Sequence, residues 1–343
     1  MAIHAGLATL VFLAALTLSA GVAPVSAQTL LGQGRGVDHV GVAVRDLAQA
    51  EHDYEQLGFK LAIHARTPDG VFDSHVYLQN GSYLELVSVN GSTSVKQGMA
   101  SIIGAFLKKR EGAGFLGINV SSAKAAVDYL KARNFVAVGP IPGSMMKEGE
   151  TTLPPPMWYI VNVSDTPAQG AQGIILPLTF FIQYVSTQRI EQYRAAGYMD
   201  QPNTAMGIHA VWFAVHDVEA QRRTLRDAGL ESGDAREAKF IGAQGRDVNA
   251  GNGVLSLLEP SDKTGVLAKY LSDHTNWIDG LWPHDEGIIG LSIQVANLDK
   301  ARQLAESGTR RKFETYKGSY GASFLLPPEV THGVWIEMFQ AAQ

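Results

Sequence analysis

Ten histidines, thirty-three acidic residues and no cysteine bound the chemistry open to this 343-residue chain. Without thiols there is no disulfide framework, no cysteine nucleophile and no thiolate zinc site. A metal ion would have to be held by imidazole, carboxylate, amide oxygen or water. Two residues stand out. His39 lies in the apolar stretch Val37–Val44, where strand alternation puts His39, Gly41 and Ala43 on one face and Val40, Val42 and Val44 on the other. The small residues beside His39 leave room for a ligand. Glu85 sits between apolar neighbours in Tyr83-Leu84-Glu85-Leu86-Val87 and shares a face with Tyr83. A carboxylate buried alone costs several kcal/mol, so Glu85 must be paired, bound to a cation or turned to water.

The elements that carry these residues recur four times. Each copy has an apolar strand, a helix-capping residue, a short amphipathic helix and a Gly or Asn stop. The caps are Asp46, Ser122, Asp217 and Asn297, and the stops are Gly58, Asn134, Gly229 and Gly308. Cap-to-stop spacings are twelve, twelve, twelve and eleven residues. Asp, Ser and Asn accept hydrogen bonds from the free N–H groups of a first helical turn, and Gly or Asn tolerates the left-handed turn that ends it. Each copy closes on an apolar strand holding one polar residue: Glu85, Gln183, Glu259 or Glu337, lying 39, 61, 42 and 40 residues after the cap. The long second copy contains a Pro- and Gly-rich insertion, Gly139 to Gly173, that reads as a loop or lid. Further short strands, such as the one before the Asn80-Gly81 turn, complete a β-α-β-β-β unit. The pattern breaks between Arg194 and Asn203, which divides the four units into two pairs.

Residues 1–27 read as a secretory signal peptide. Leu7 to Ala20 is apolar, Gly21 and Pro24 break the helix, and Val25-Ser26-Ala27 precedes a cut before Gln28. The n-region lacks Lys and Arg, and the apolar run is short for a membrane span. The expected location is therefore periplasmic or secreted, with no stable span after cleavage. The net charge of −5, with no basic stripe, argues against a nucleic-acid partner.

The segment Val37-Asp38-His39-Val40-Gly41-Val42-Ala43-Val44-Arg45-Asp46-Leu47 resembles the opening strand and helix start of the vicinal-oxygen-chelate superfamily. That group includes glyoxalases, extradiol dioxygenases, epimerases and bleomycin-resistance proteins. Tyr83-Leu84-Glu85-Leu86 is similar to its ligand-bearing fourth strand, and Thr331-His332-Gly333-Val334-Trp335-Ile336-Glu337 to its ending. Leu176-Pro177, Phe180-Phe181-Ile182-Gln183 and Gln201-Pro202-Asn203 resemble the glyoxalase-like branch. The resemblance implies an α+β fold of four βαβββ modules, paired into two curled mixed-sheet domains at 36–195 and 204–341.

It also implies a divalent metal (Zn, Fe, Mn or Ni are not distinguished) inside a cup, held by His on first strands and Glu on fourth strands. Counting seven residues back from each cap, His39 corresponds to Phe115, Ala210 and Gly290. The first domain then offers His39, Glu85 and Gln183, with His75 on the third strand as a candidate for the vacant place. The second domain offers Glu259 and Glu337, with His209 one position out of register unless a strand bulge corrects it. A set drawn from both domains, His39, Glu85, His209 and Glu259, is a further arrangement. Tyr83 and Trp158 are candidate substrate contacts, and Glu85 or His75 the candidate proton-moving groups. The expected activity is a metal-dependent lyase or isomerase acting on a small oxygen-rich organic substrate. The alternatives are a metal-free sequestering protein of bleomycin-resistance type and an extradiol-type dioxygenase. A small-molecule substrate is the expected partner, and a homodimer is compatible with the reading.

Overall fold

The computed structural model of the chain describes residues 29–89, 98–147, 150–164, 175–272 and 286–342. Residues 1–27, expected to be a signal peptide, lie outside these ranges, as do parts of the insertion. Module one comprises strand β1 (Gly36–Ala43), helix α1 (Leu47–Gln56), β2 (Ala62–Arg66), β3 (Val71–Tyr77) and β4 (Tyr83–Val89), followed by α2 (Met99–Lys109). Module two comprises β5 (Gly112–Asn119), α3 (Ala123–Lys131), β6 (Val136–Gly143), the two-residue β7 (Met146–Lys147), β8 (Trp158–Ser164) and β9 (Thr179–Tyr184), followed by α4 (Gln188–Ala195). Module three runs through β10 (Ala205–Ala214), α5 (Val218–Asp227), β11 (Ser232–Ala238), β12 (Ala243–Ala250) and β13 (Gly253–Pro260), with α6 (Val266–Ser272) after it. Module four is β14 (Gly287–Val295), α7 (Leu298–Thr309), β15 (Thr315–Lys317), β16 (Gly321–Leu326) and β17 (Trp335–Ala341).

All four expected caps close their helices. The side chains of Asp46, Ser122, Asp217 and Asn297 each accept a hydrogen bond from the backbone N–H three residues on, at 2.8–3.2 Å. Within each module the first strand pairs with the fourth in parallel, and the fourth, third and second follow antiparallel. First strands of paired modules join antiparallel, β1 to β5 and β10 to β14. The results are a nine-stranded sheet, β6-β8-β9-β5-β1-β4-β3-β2-β7, and an eight-stranded sheet, β11-β12-β13-β10-β14-β17-β16-β15. In the first sheet β6 and β7 are opposite edges, yet only Ser144 and Met145 separate them in the chain. Two intervening residues reach about 10 Å, so this sheet must curl almost closed.

The Pro-rich insertion is not a loop throughout. Val136–Gly143 is an edge strand despite Pro140 and Pro142, which an edge position tolerates because one side of the strand donates no ladder bonds.

Helices cover the outer faces of both sheets. One continuous core includes Val40, Val42, Leu84, Leu86, Ile118 and Phe181 from the first sheet and Val211, Phe213, Leu291, Ile336 and Met338 from the second. The domains are also stitched by backbone: Asn80 N–H donates to the Met206 carbonyl (2.9 Å), and Ile208 N–H to Ser82 Oγ (2.9 Å). No described helix is long and apolar enough to cross a membrane.

The inner faces of the two sheets differ. The second cup is filled by its own side chains. Ala210, Trp212, Ala214, Leu258 and Ile289 pack inside it with Leu267 and Leu271 of α6. A buried ion pair lies within, Arg236 Nη2 to Glu337 Oε2 at 3.1 Å. Glu337 also accepts from Ser292 (2.6 Å) and Tyr316 (3.0 Å), and the Arg236 guanidinium lies 4.2 Å from the Tyr320 ring centroid. Removing one partner of such a pair strands the other charge. Arg236→Met should therefore cost about 3–5 kcal/mol in chemical denaturation, and Arg236→Met with Glu337→Leu should recover most of that loss.

Candidate metal centre in the first cup

Two registers, one parallel and one antiparallel, bring the polar residues of module one together. His39 on β1 stands opposite Tyr83 on β4, and Gly41 stands opposite Glu85. On β3, Asp73, His75 and Tyr77 stand opposite Val87, Glu85 and Tyr83. His39, Asp73, His75, Tyr83 and Glu85 therefore face one space. His39 Nε2 is 3.5 Å from Glu85 Oε2, and His75 Nε2 is 3.8 Å from Glu85 Oε1 and 3.5 Å from Asp73 Oδ1. Donor atoms of Asp73, His75 and Glu85 all lie within 4.8 Å of one another.

A second layer orients these groups. Asp38 Oδ1 accepts from His39 Nδ1 at 2.8 Å, which leaves the Nε2 lone pair aimed into the cup. A carboxylate behind an imidazole in this way is the usual support of a metal-ligating histidine. Asp38 is itself bonded by Arg35, and its Oδ1 also accepts from Tyr184 OH at 2.8 Å. Asp38 reaches inward because the β1–β5 register slips between Val37 and His39. On the far side, the imidazole of His39 stacks on Tyr83 at 4.5 Å. A side chain at Gly117 would collide with the His39 ring, so glycine there is a condition of the imidazole's placement. The space beside Gly41 is taken by the Phe115 ring, not left for a ligand.

Electrostatics make the cluster receptive to a cation. Burial pushes the Asp73 carboxyl up to about 6, and Glu85 beside it adds to the rise against the opposing pull of His75 and Arg189. Burial also works against ionised Glu85, but His75, His39 and Arg189 outweigh it and hold that carboxyl below its ordinary value. Both oxygens of Asp73 and the Nε2 of His75 are buried without a hydrogen-bond partner. Buried polar atoms that lack partners are costly. A cation at their centre would satisfy all three atoms at once, and oxygen with imidazole donors suits a divalent ion. The residues present therefore fit a metal.

Other residues of the expected ligand set go elsewhere. Five residues before each cap, Gly41, Gly117, Trp212 and Ser292 pair with Glu85, Phe180, Ser256 and Glu337. These are the equivalent inward positions. Gln183 and Glu259 lie three residues beyond theirs, an odd step that turns them to the helix side. There Gln183 Oε1 accepts from Ala123 N–H (2.8 Å) and Glu259 Oε2 from Val218 N–H (3.3 Å), as Gln340 does for Leu298 (2.9 Å). Each satisfies the first N–H of its module's helix. Gln183 is therefore a helix-end acceptor and not part of the first cup's donor set. The second set, His209, Glu259 and Glu337, does not assemble, and neither does the set shared between domains. His209 does turn toward the second cup, where the β10–β14 register slips between Ile208 and Ala210. Its ring lies 4.3 Å from Tyr320, and burial lowers its pKa. Glu337, however, is already held by Arg236. Trp158 is on the cup face of β8, opposite Tyr184.

Asp73, Asp38 and Arg189 are site residues that the sequence did not single out. Asp73 had a signal: it shares strand parity with His75 and Tyr77, so whatever faces the cup through one faces it through all. Asp38 had none, because a bulge overrides its parity.

A sequence profile of the glyoxalase-like domain family matches residues 37–236. No curated protein matches the sequence. Among solved structures, a hypothetical protein from Staphylococcus aureus shares the fold at a TM-score of 0.57 and 12% identity, over 89% of this chain and 98% of that one. A mutant 4-hydroxymandelate synthase from Streptomyces coelicolor does so at 0.57 and 12%, over 90% and 94%. Methylmalonyl-CoA epimerase from Mycobacterium tuberculosis aligns with 41% of this chain and 91% of its own at a TM-score of 0.35 and 19% identity.

Two substitutions separate these roles. Gln183→Ala should cost about 0.5–1.5 kcal/mol of stability and leave metal content unchanged. Asp73→Asn should stabilise the metal-free protein. With its folded pKa near 6 against an ordinary 3.8, Asp73 binds its proton more tightly folded than unfolded, so its ionisation opposes folding. Denaturation should show equal stability below pH 4 and a gap opening between pH 4 and 6 and levelling above it at about 3 kcal/mol in the variant's favour.

Proposed function

The chain belongs to the glyoxalase-like domain family of the vicinal-oxygen-chelate superfamily, and from that premise we propose that its first domain is a divalent-metal-dependent enzyme. Its substrate is a small organic molecule presenting carbonyl or vicinal oxygens, and its chemistry is of lyase or isomerase type. One observation carries this reading: donor atoms of Asp73, His75 and Glu85 lie within 4.8 Å of one another, with His39 Nε2 3.5 Å from Glu85 Oε2 and with Asp73 and His75 unsatisfied.

Asp73, His75 and Glu85 would hold the ion, with His39 beside Glu85 as a further imidazole donor. When bound, it supplies Lewis acidity to a substrate oxygen. The rest is done by the chain. Asp38 fixes the His39 tautomer, and the Tyr83 ring fixes its plane. Tyr77 OH, 3.4 Å from His75 Nδ1, does the corresponding work for the second imidazole. The second domain, its cup filled, serves as scaffold. The apolar leader at residues 1–27 supports export to the periplasm or medium.

A second reading has its own observation. Two imidazoles and one carboxylate on one centre is also the composition of non-haem iron sites that use dioxygen, and His75 supplies the second imidazole that a dioxygenase needs.

Metal analysis of purified protein tests both. About one equivalent of divalent metal per chain is expected, reduced at least ~10-fold in His39→Ala and in His75→Ala. Absence of metal, or equal content in the variants, rejects the site. Iron together with substrate-dependent oxygen uptake would favour the second reading.

A further inference from the structure

The inner face of module two has the opposite character to that of module one. On β6 and β8, strand parity sends Ala137, Val161 and Val163 to the helix side, where they are buried in the core. The residues between them face the cup: Val136 and Val138 on β6, Ile160 and Asn162 on β8. After the register slip in β6, Ile141 stands opposite Ile160. On β9, Phe180 stands opposite Asn162, Ile182 opposite Ile160 and Tyr184 opposite Trp158. Val136, Val138 and Ile141 are 46%, 54% and 36% exposed, among the few large apolar side chains so exposed in the described chain. Scattered exposed valines need no explanation, but three on one face of one strand, beside two more apolar strands, form a patch.

The patch is continuous with the polar cluster. Phe180 lies 5.3 Å from the His39 ring and 5.9 Å from Phe115, which is itself 6.2 Å from His39. The corresponding space in the second domain is packed by Trp212, Ile241, Leu258 and α6. Among the described residues, only the first cup keeps an apolar wall open to solvent. A pocket with a few convergent polar groups at one end and apolar walls elsewhere is the common form of a small-molecule site.

We propose that this wall, formed by Val136, Val138, Ile141, Trp158, Ile160 and Phe180, binds the apolar body of the substrate whose oxygens reach the His39–His75–Glu85 cluster. The substrate is then amphipathic: an oxygen-bearing head joined to an aryl or branched alkyl body. This rests on the metal reading above for the head, while the wall stands on its own geometry.

The test uses the full chain with and without Mn²⁺ and two probes with the same chelating head, glycolate and 3-phenyllactate. Calorimetry should show 3-phenyllactate binding at least ~10-fold more tightly, as burial of a phenyl ring requires. Val138→Asp and the milder Val138→Thr should remove most of that advantage and leave glycolate and Mn²⁺ binding unchanged. The apolar dye 8-anilinonaphthalene-1-sulfonate should bind wild-type protein with quenching of tryptophan fluorescence and should bind Val138→Asp weakly. If Mn²⁺ fails to bind but the dye contrast holds, the metal reading falls and the wall stands. If Mn²⁺ binds but neither probe distinguishes wild type from Val138→Asp, the wall falls. A wild-type dimer in sedimentation equilibrium that Val138→Asp converts to a monomer would also overturn it, because the face would then be a contact between copies.

Discussion

Parallel pairing of the first strand with the fourth in each module is the interaction on which the rest depends. It fixes which residue of one strand stands opposite which of the other, and alternation then decides the face. In module one the register sets His39 against Tyr83 and Gly41 against Glu85, and the antiparallel β3–β4 ladder adds Asp73 and His75. A slip of one residue would send all of these to the helix side and bring Val40 and Leu84 into the cup. The same pairing aims Gln183, Glu259 and Gln340 at helix N-termini, so one constraint builds both the inner cluster and the outer helix anchorage.

The four equivalent inward positions show how a repeated scaffold diverges. Glu85 meets two imidazoles and Asp73. Phe180 joins an apolar wall. Ser256 bonds Asp247 at 2.6 Å and is structural. Glu337 is neutralised by Arg236 and two hydroxyls. A buried carboxylate has to be compensated, and the two domains do so differently: the second with its own arginine, the first with groups arranged as a cation would need them.

Much of the fold was legible in the sequence. Helix caps are local chemistry, and four of them, with left-handed stops at Gly58, Asn134 and Gly229, mark four modules; the fourth helix runs past the expected stop at Gly308 and ends at left-handed Arg310. The strands carrying His39 and Glu85 were legible for the same reason. The ligand set was read less well. Glu259 lies three residues beyond Ser256, which holds the inward position of its module, and spacing from the cap does not reveal this because Glu85 and Glu337, both inward, already differ by one. Gln183 was hidden by the insertion, which removes any fixed spacing. Asp38 and His209, both eight residues before their caps, sit at bulges, and a bulge cancels the parity rule on which sequence reading relies.

By itself, then, the sequence determined the modules, the pairing of modules into two sheets, the exclusion of thiol chemistry and the candidacy of His39 and Glu85. These follow from periodicity and capping, which act over a few residues. The tertiary structure decided which carboxylates face inward, that Asp73 and His75 complete the cluster, that Arg236 fills the second cup and that module two leaves an apolar wall exposed. Those outcomes depend on register, bulges and side chains more than a hundred residues apart in the chain, such as Arg236 and Glu337, which are brought together only when the sheets curl.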